Sequence, residues 1–280
     1  MTTGDPGAAR RWIRRLAPAP DARARCVCLP HAGGVASFYV PLSRSLSPAV
    51  EVLAVQYPGR QDRWREACVD SVEGLADGIV RELGAWTDRP LALFGHSMGA
   101  AVAFEVALRL EERGTGAIVL FASGRRGPAV HRYVPPDERA YVDDEALLAE
   151  VRRLDGPHST LLENAALRRV TMPSVRADYR AAAAYRYRGD RSLRCPVVAL
   201  AGDADPVAPI RQVREWVAQA AGPFELRVFP GGHFYLTEQL DAIAGAVLGH
   251  VLARGGAVEE RPGGPVRSSE GAGRRGAAGR

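Results

Sequence analysis

Pro90-Leu91-Ala92-Leu93-Phe94 is a short apolar run, Gly95-His96-Ser97-Met98-Gly99 follows it directly, and Ala100-Ala101-Val102-Ala103-Phe104-Glu105-Val106-Ala107-Leu108-Arg109-Leu110 continues as a strong helix former. A buried strand, a Gly-x-Ser-x-Gly turn and a helix make a nucleophile elbow. A Ser on so tight a turn has strained backbone angles, and the residues two places away on each side must be small. Gly95 and Gly99 meet that need and let strand and helix pass close together. The hydroxyl of Ser97 is then pushed out where a substrate can reach it. Met98 opens the helix, so its N–H is a candidate donor to developing negative charge.

Around this centre, strand and helix patterns alternate. Apolar strand candidates lie at residues 25–30, 51–56, 90–95, 117–122, 196–202 and 224–229, and helix candidates at 70–87, 98–112, 207–221 and 236–253. Such alternation predicts an α/β fold with a mostly parallel sheet and helices on both faces. Ligands gather at the carboxyl ends of the strands in sheets of this type, where Ser97 falls. Residues 127–190 break the rhythm. They hold helix patterns at 144–154, 161–170 and 173–187 with no convincing strand, which predicts an inserted helical lid over the active edge. Tyr179, Tyr185 and Tyr187 punctuate the last of them and read singly as packing residues.

A Ser hydroxyl needs a base, and the base needs an orienting acid. In elbow enzymes the chain order is Ser, acid, His. The strand Phe224-Glu225-Leu226-Arg227-Val228-Phe229 runs into Pro230-Gly231-Gly232-His233-Phe234, which makes His233 the base among six His. His31 and His96 precede Ser97, His131 and His158 fall in the lid, and His250 falls on the last helix. The preceding strand ends in Gly202-Asp203-Ala204-Asp205-Pro206. Asp205 is favoured as the acid, because Gly-x-x-Asp lets the strand end and the carboxylate turn back. Asp203 then reads as a turn or capping residue. The second oxyanion donor should come from the loop His31-Ala32-Gly33-Gly34, with Ala32 N–H as first choice and Gly33 N–H as the alternative. His31 reads as a loop-shaping residue.

Composition narrows the classes. Of 280 residues, 46% are apolar, ample for one large α/β domain. The net charge of +5 sits in the ends: four Arg and one Asp in residues 1–20, five Arg and three Glu in residues 255–280. Residues 21–254 are formally neutral, which gives no support to a nucleic-acid-binding face. The chain contains no Lys, and with its Ala, Gly and Pro content that reads as the codon bias of a GC-rich genome. No apolar run is long enough to span a membrane and no signal-peptide core opens the chain, so a cytoplasmic monomer is expected. Cys26, Cys28, Cys68 and Cys195 lack redox or zinc spacing and read as free thiols. Residues 1–20 are expected as a flexible arm, 21–254 as the domain, and the Gly- and Arg-rich residues 255–280 as a disordered tail.

Leu29-Pro30-His31-Ala32-Gly33-Gly34, Tyr57-Pro58-Gly59-Arg60-Gln61-Asp62-Arg63, the elbow, Tyr185-Arg186-Tyr187 followed by Cys195-Pro196, and Phe229-Pro230-Gly231-Gly232-His233-Phe234 occur in that order. Together these stretches resemble the type II thioesterases, the editing enzymes of polyketide and nonribosomal peptide synthesis. The resemblance spans residues 24 to about 245. It implies the α/β-hydrolase fold with a helical lid, and hydrolysis of acyl thioesters on the phosphopantetheine arm of an acyl or peptidyl carrier protein. No metal or organic cofactor is implied. Arg60 and Arg63 read equally as contacts to the carrier and as structural ion pairs. A carboxylesterase or acyltransferase with the same residues, and a non-catalytic carrier-binding protein, are the competing readings.

Overall fold

The computed structural model describes residues 12–130, 137–154, 156 and 161–255. Seven strands form one sheet: β1 (Ile13–Ala17), β2 (Ala24–Leu29), β3 (Val50–Val55), β4 (Leu91–His96), β5 (Val119–Ser123), β6 (Val197–Gly202) and β7 (Phe224–Phe229). Their order is β1-β3-β2-β4-β5-β6-β7. All neighbours pair in parallel except β1 with β3. Strands β2 to β6 are buried along their whole length. This is why they read as continuous apolar runs rather than alternating ones.

Side chains alternate across each strand and feed two cores. On one face, Val27, Leu29, Leu93 and Ala122 pack with α2 (Val72–Leu83) and α3 (Met98–Glu112). On the other, Cys26, Cys28, Phe94 and Phe121 pack with α1 (Val40–Leu46) and α8 (Leu240–Gly255). A short helix, α7 (Tyr235–Glu238), precedes α8. All four cysteines are free. No helix among the described residues is long and apolar enough to cross a membrane.

Three expectations need correction. Residues 12–20 are not a mobile arm. Ile13 is buried and pairs with Val55, Trp12 covers Gly78 of α2, and Arg15 donates to buried Glu51 at 2.9 Å. Arg-rich composition hid an edge strand whose charges are either paired or solvated. The helix expected at 207–221 is instead α6 (Ile210–Val213) followed by a 3-10 turn (Arg214–Gln219), since Pro206 and Pro209 delay its start. The patterns at 161–170 and 173–187 are largely one helix, α5 (Ala165–Ala184), with Pro173 inside it. An interior Pro costs a helix about 3 kcal/mol, and here Met172 and Val175 on either side of it are buried.

Between β5 and β6 the described residues carry α4 (Asp144–Arg153), two 3-10 turns and α5. Leu147, Leu148, Leu162, Met172 and Val175 form a small core of their own. Residues 1–11, 131–136, 155, 157–160 and 256–280, with His131, His158 and most of the expected tail, lie outside the described part.

Candidate active site

Parallel pairing brings the carboxyl ends of β2, β4, β5, β6 and β7 to one edge, and every sequence-predicted site residue lies just beyond one of them. Ser97 sits between β4 and α3 with φ +55° and ψ −117°, a backbone conformation that costs a non-Gly residue of order 1–3 kcal/mol. Its N–H is held by the Ser123 carbonyl at 2.8 Å. The two flanking glycines are required by contact: a Cβ on Gly95 would lie 2.2 Å from the Gly99 carbonyl oxygen, and one on Gly99 would lie 2.1 Å from the Leu29 carbonyl oxygen.

Ser97 Oγ lies 3.0 Å from His233 Nε2, and His233 Nδ1 lies 2.9 Å from Asp205 Oδ2. Asp205 and His233 are both buried. Burial alone would raise the Asp205 pKa, but the hydrogen bond and charge of His233 and the N–H groups of Ala208 and Val207 outweigh it and hold it below the usual carboxylate value. Those N–H groups donate to Oδ1 at 3.1 and 2.8 Å, leaving Oδ2 for the imidazole. Asp203 instead accepts from Gly231 N–H at 2.9 Å and shapes the turn.

Met98 is the first residue of α3, so its N–H has no acceptor within the helix. Gly33 N–H is engaged: it donates to Asp178 Oδ2 at 2.7 Å. That leaves Ala32, on the rim of the same pocket as Ser97 and Met98, as the free choice of the two glycine-loop donors. His31 is buried with its ring edge-on to Phe38 and Phe234 at 4.8 and 4.9 Å, and shapes the loop.

Asp178 was not singled out from the sequence. It is wholly buried on α5 and binds Arg60 through two bonds of 2.6 and 2.9 Å, while Arg60 also donates to the Gly34 carbonyl at 3.2 Å. The glycine loop is thus tied to α5 by a buried bidentate ion pair. Arg63 is buried as well, donating to Glu66 at 2.9 Å and to the Gln56 carbonyl at 2.6 Å, over the Trp12 ring. Of the two readings for Arg60 and Arg63, the structural one holds. A charged residue on the apolar stripe Met172, Val175, Asp178, Ala181 was the signal that could have found Asp178.

His96 is wholly buried beside the site. Its Nδ1 lies 3.0 Å from Ser123 Oγ, which lies 2.7 Å from Tyr235 Oη. Burial, then the neighbouring His233 and His31, push its pKa well below the ordinary histidine value. The imidazole 5.1 Å from the His233 ring therefore stays neutral.

Two cavities meet at Ser97, Arg125 and Val207. One, of about 90 Å³, is mostly apolar, with Val151, Leu154, Leu162 and Val175 from the segment between β5 and β6 facing His233 and Phe234. The other, of about 730 Å³, is a more polar groove that includes Arg126, Arg186 and Arg191. Tyr179 lines the first, and Tyr185 donates to Glu105 at 2.8 Å beneath the second. Such an arrangement can take the proton of Ser97 onto His233, spread the resulting charge toward Asp205, and hold an oxyanion on backbone N–H groups.

The chain matches the model of the thioesterase domain over residues 24–250. It is 48% identical over 253 residues to thioesterase PikA5 of Streptomyces venezuelae, covering 89% of each chain. Among solved structures it resembles the type II thioesterase BorB from the borrelidin biosynthetic cluster at 43% identity and a TM-score of 0.77, covering 90% of this chain and 98% of that one. It also resembles YbtT, a type II thioesterase from the yersiniabactin pathway, at 31% identity and a TM-score of 0.78, covering 87% and 99%. The chain belongs to the thioesterase family and has its α/β-hydrolase architecture; it is an acyl-thioester hydrolase.

Proposed function

We propose, with membership of the thioesterase family as the premise, that this chain removes acyl groups from the phosphopantetheine arm of carrier proteins in a polyketide or nonribosomal peptide assembly line, with Ser97, His233 and Asp205 as its catalytic triad. The observation that carries the triad is the continuous chain of contacts from Ser97 through His233 to Asp205 at the mouth of a small apolar pocket. The names of PikA5, BorB and YbtT support the biosynthetic setting.

Ser97 Oγ attacks the thioester carbonyl as His233 Nε2 takes its proton. The N–H groups of Met98 and Ala32 hold the oxyanion. His233 then gives the proton to the departing thiol, and the C–S bond breaks, leaving an acyl ester on Ser97. Water attacks that ester with His233 again as base, His233 returns the proton to Ser97 Oγ as the C–O bond to Ser97 breaks, and the acid leaves. Asp205 fixes the imidazole orientation and stabilises its cation. The acyl chain occupies the small pocket, the arm approaches along the larger groove, and the helices between β5 and β6 act as the lid.

The test is hydrolysis of short acyl groups from a phosphopantetheinylated carrier, from a small-molecule thioester and from an oxygen ester of the same acid. The wild-type chain is expected to prefer the thioesters, and Ser97→Ala to lose roughly 10³-fold or more in kcat while keeping its melting temperature. Preference for the oxygen ester would replace this reading with a carboxylesterase. A Ser97→Ala chain with near-wild-type turnover would exclude the triad.

A further inference from the structure

His233 follows β7, whereas Ser97 follows β4, three strands away in the sheet and about 14 Å at the ordinary spacing of paired strands. The loop after β7 must therefore fold back over the sheet edge to bring His233 Nε2 within 3.0 Å of Ser97 Oγ. It is held on both sides of His233. Before it, Gly231 donates to Asp203 Oδ1 at 2.9 Å and accepts from Ala204 N–H at 3.0 Å, next to Asp205. After it, Tyr235 reaches Ser123 at the end of β5, with 2.7 Å between Oη and Oγ.

Tyr235 has the form of a strut. Its ring stacks on Phe229, the last residue of β7, with centroids 5.7 Å apart and planes 10° apart. It crosses the end of β6, where a Cβ on Gly202 would lie 3.0 Å from Tyr235 Cδ1. The far end rests on Ser123, which is wholly buried and serves the nucleophile twice. The Ser123 carbonyl accepts Ser97 N–H at 2.8 Å, and Ser123 Oγ lies 3.0 Å from Nδ1 of His96, the residue before Ser97. A hydroxyl can donate to one neighbour and accept from the other, so both side-chain contacts hold at once. Inside a low-dielectric core such a chain is stiff, and an unpaired member is costly. Neither Ser123 nor Tyr235 is among the described residues lining the two cavities at Ser97.

We infer that Ser123 and Tyr235 are positioning residues for the reaction: their paired hydroxyls join the elbow of the nucleophile to the loop of the base and set the distance between Ser97 Oγ and His233 Nε2. Both act through His233 and Ser97 rather than on the substrate. Packing alone would need only the ring of Tyr235. Its phenolic oxygen, buried and aimed at the residue that also holds Ser97 N–H, is what ties the two loops together. The inference rests on the triad reading above, which Ser97→Ala tests separately. Turnover by Ser97→Ala would sink the triad, whereas an inactive Ser97→Ala beside a fully active Tyr235→Phe would sink this inference alone.

The experiment takes wild type, Tyr235→Phe, Ser123→Ala and the double variant. Each is assayed for kcat and KM on propionyl N-acetylcysteamine, and for the second-order rate of inactivation by phenylmethanesulfonyl fluoride, well below its own melting temperature. The fluoride needs Ser97 and its base but makes no use of the pantetheine arm. Tyr235→Phe keeps the ring, deletes one oxygen and leaves Ser123 with His96 as partner, so the fold should hold. Its kcat and its inactivation rate are both expected to fall roughly 10-fold, within the loss that a misplacement of about 1 Å brings, with KM unchanged. Since one tether passes through both residues, the double variant should lose no more than Ser123→Ala alone. A wild-type kcat and inactivation rate in Tyr235→Phe overturn the inference, whatever the melting temperature does. So do losses that multiply in the double variant, as two separate packing defects would give. A raised KM with kcat and inactivation rate intact assigns the pair to substrate binding and overturns it as well. Should Ser123→Ala fail to fold, Tyr235→Phe decides alone.

Discussion

The sheet edge and the helical segment above it are built on different principles. Beneath Ser97, β4 buries all six of its residues and α3 buries nearly all of its own. Above it, α5 buries only five of twenty residues, and Leu167 and Val170 on it are exposed. The lower part is fixed by two dense cores, so the distances from Ser97 to His233 and Asp205 are set by backbone that cannot shift without disturbing close packing. Among the described residues the upper part has one small core of its own and is tied to the lower by the buried ion pair of Arg60 with Asp178, by Gly33 N–H on Asp178 and by Ala181 in the larger core. A region with fewer buried apolar contacts opens at lower free energy. The placement suits a reaction that needs unmoving chemistry and a cover that admits substrate.

The difference can be broken from either side. On the lower part, Asp205→Asn should leave the fold in place and reduce kcat by about 10⁴-fold, as loss of the orienting carboxylate does in triads generally. Asp203→Asn, whose carboxylate only caps a turn, should stay within a few-fold of wild type. Steady-state kinetics on the two variants side by side checks the assignment, and equal losses would contradict it.

Removing the tie between the parts comes next. Asp178→Ala leaves the Arg60 guanidinium buried without its carboxylate and frees Gly33 N–H. Breaking a buried pair in this way costs about 3–5 kcal/mol, read as a lower urea midpoint. Replacing both partners by apolar residues, Arg60→Met with Asp178→Leu, should restore much of that stability. If the tie also positions the oxyanion loop, kcat should remain depressed in the restored double variant. A double variant with full kcat would reduce the pair to a stability device.

A smaller effect concerns pH. His96 is held neutral in the folded protein, while in the unfolded chain it takes a proton below about pH 6.5. The unfolded state then binds more protons, so stability falls as pH drops from about 6.5 toward the lowered folded value, by up to about 1.4 kcal/mol per pH unit from this one group. His96→Gln should flatten that slope in urea titrations at pH 7, 6 and 5. The same slope in the variant would assign the acid sensitivity elsewhere. Smallest of all, Leu167→Ser on the exposed face of α5 should change stability by less than about 0.5 kcal/mol.

What could be read from the chain follows the same division. Ser97, His233, Asp205 and the glycine loop are legible because their chemistry is local: each is a turn motif placed just after an apolar strand. The strands β2 to β6 are legible because burial on both faces leaves them almost wholly apolar, and β7, though only partly buried, because four of its six residues are apolar. β1 is not, because an edge strand needs only one buried face and Ile13 sits among arginines. The continuity of α5 through Pro173 is set by tertiary packing rather than by propensity. The pairing of Arg60 with Asp178 joins residues 118 positions apart, and no local pattern announces it.

The most direct measurement of the proposed catalytic centre is trapping of the acyl-enzyme. Wild-type chain mixed with a short acyl thioester, quenched in acid within the first turnovers and digested, should yield one acylated peptide by mass spectrometry, with the added mass on Ser97. The adduct should be absent from Ser97→Ala and should accumulate where Asp205→Asn slows its hydrolysis. An adduct on another residue, or steady thioester turnover by Ser97→Ala, would contradict the assignment of Ser97 as the nucleophile.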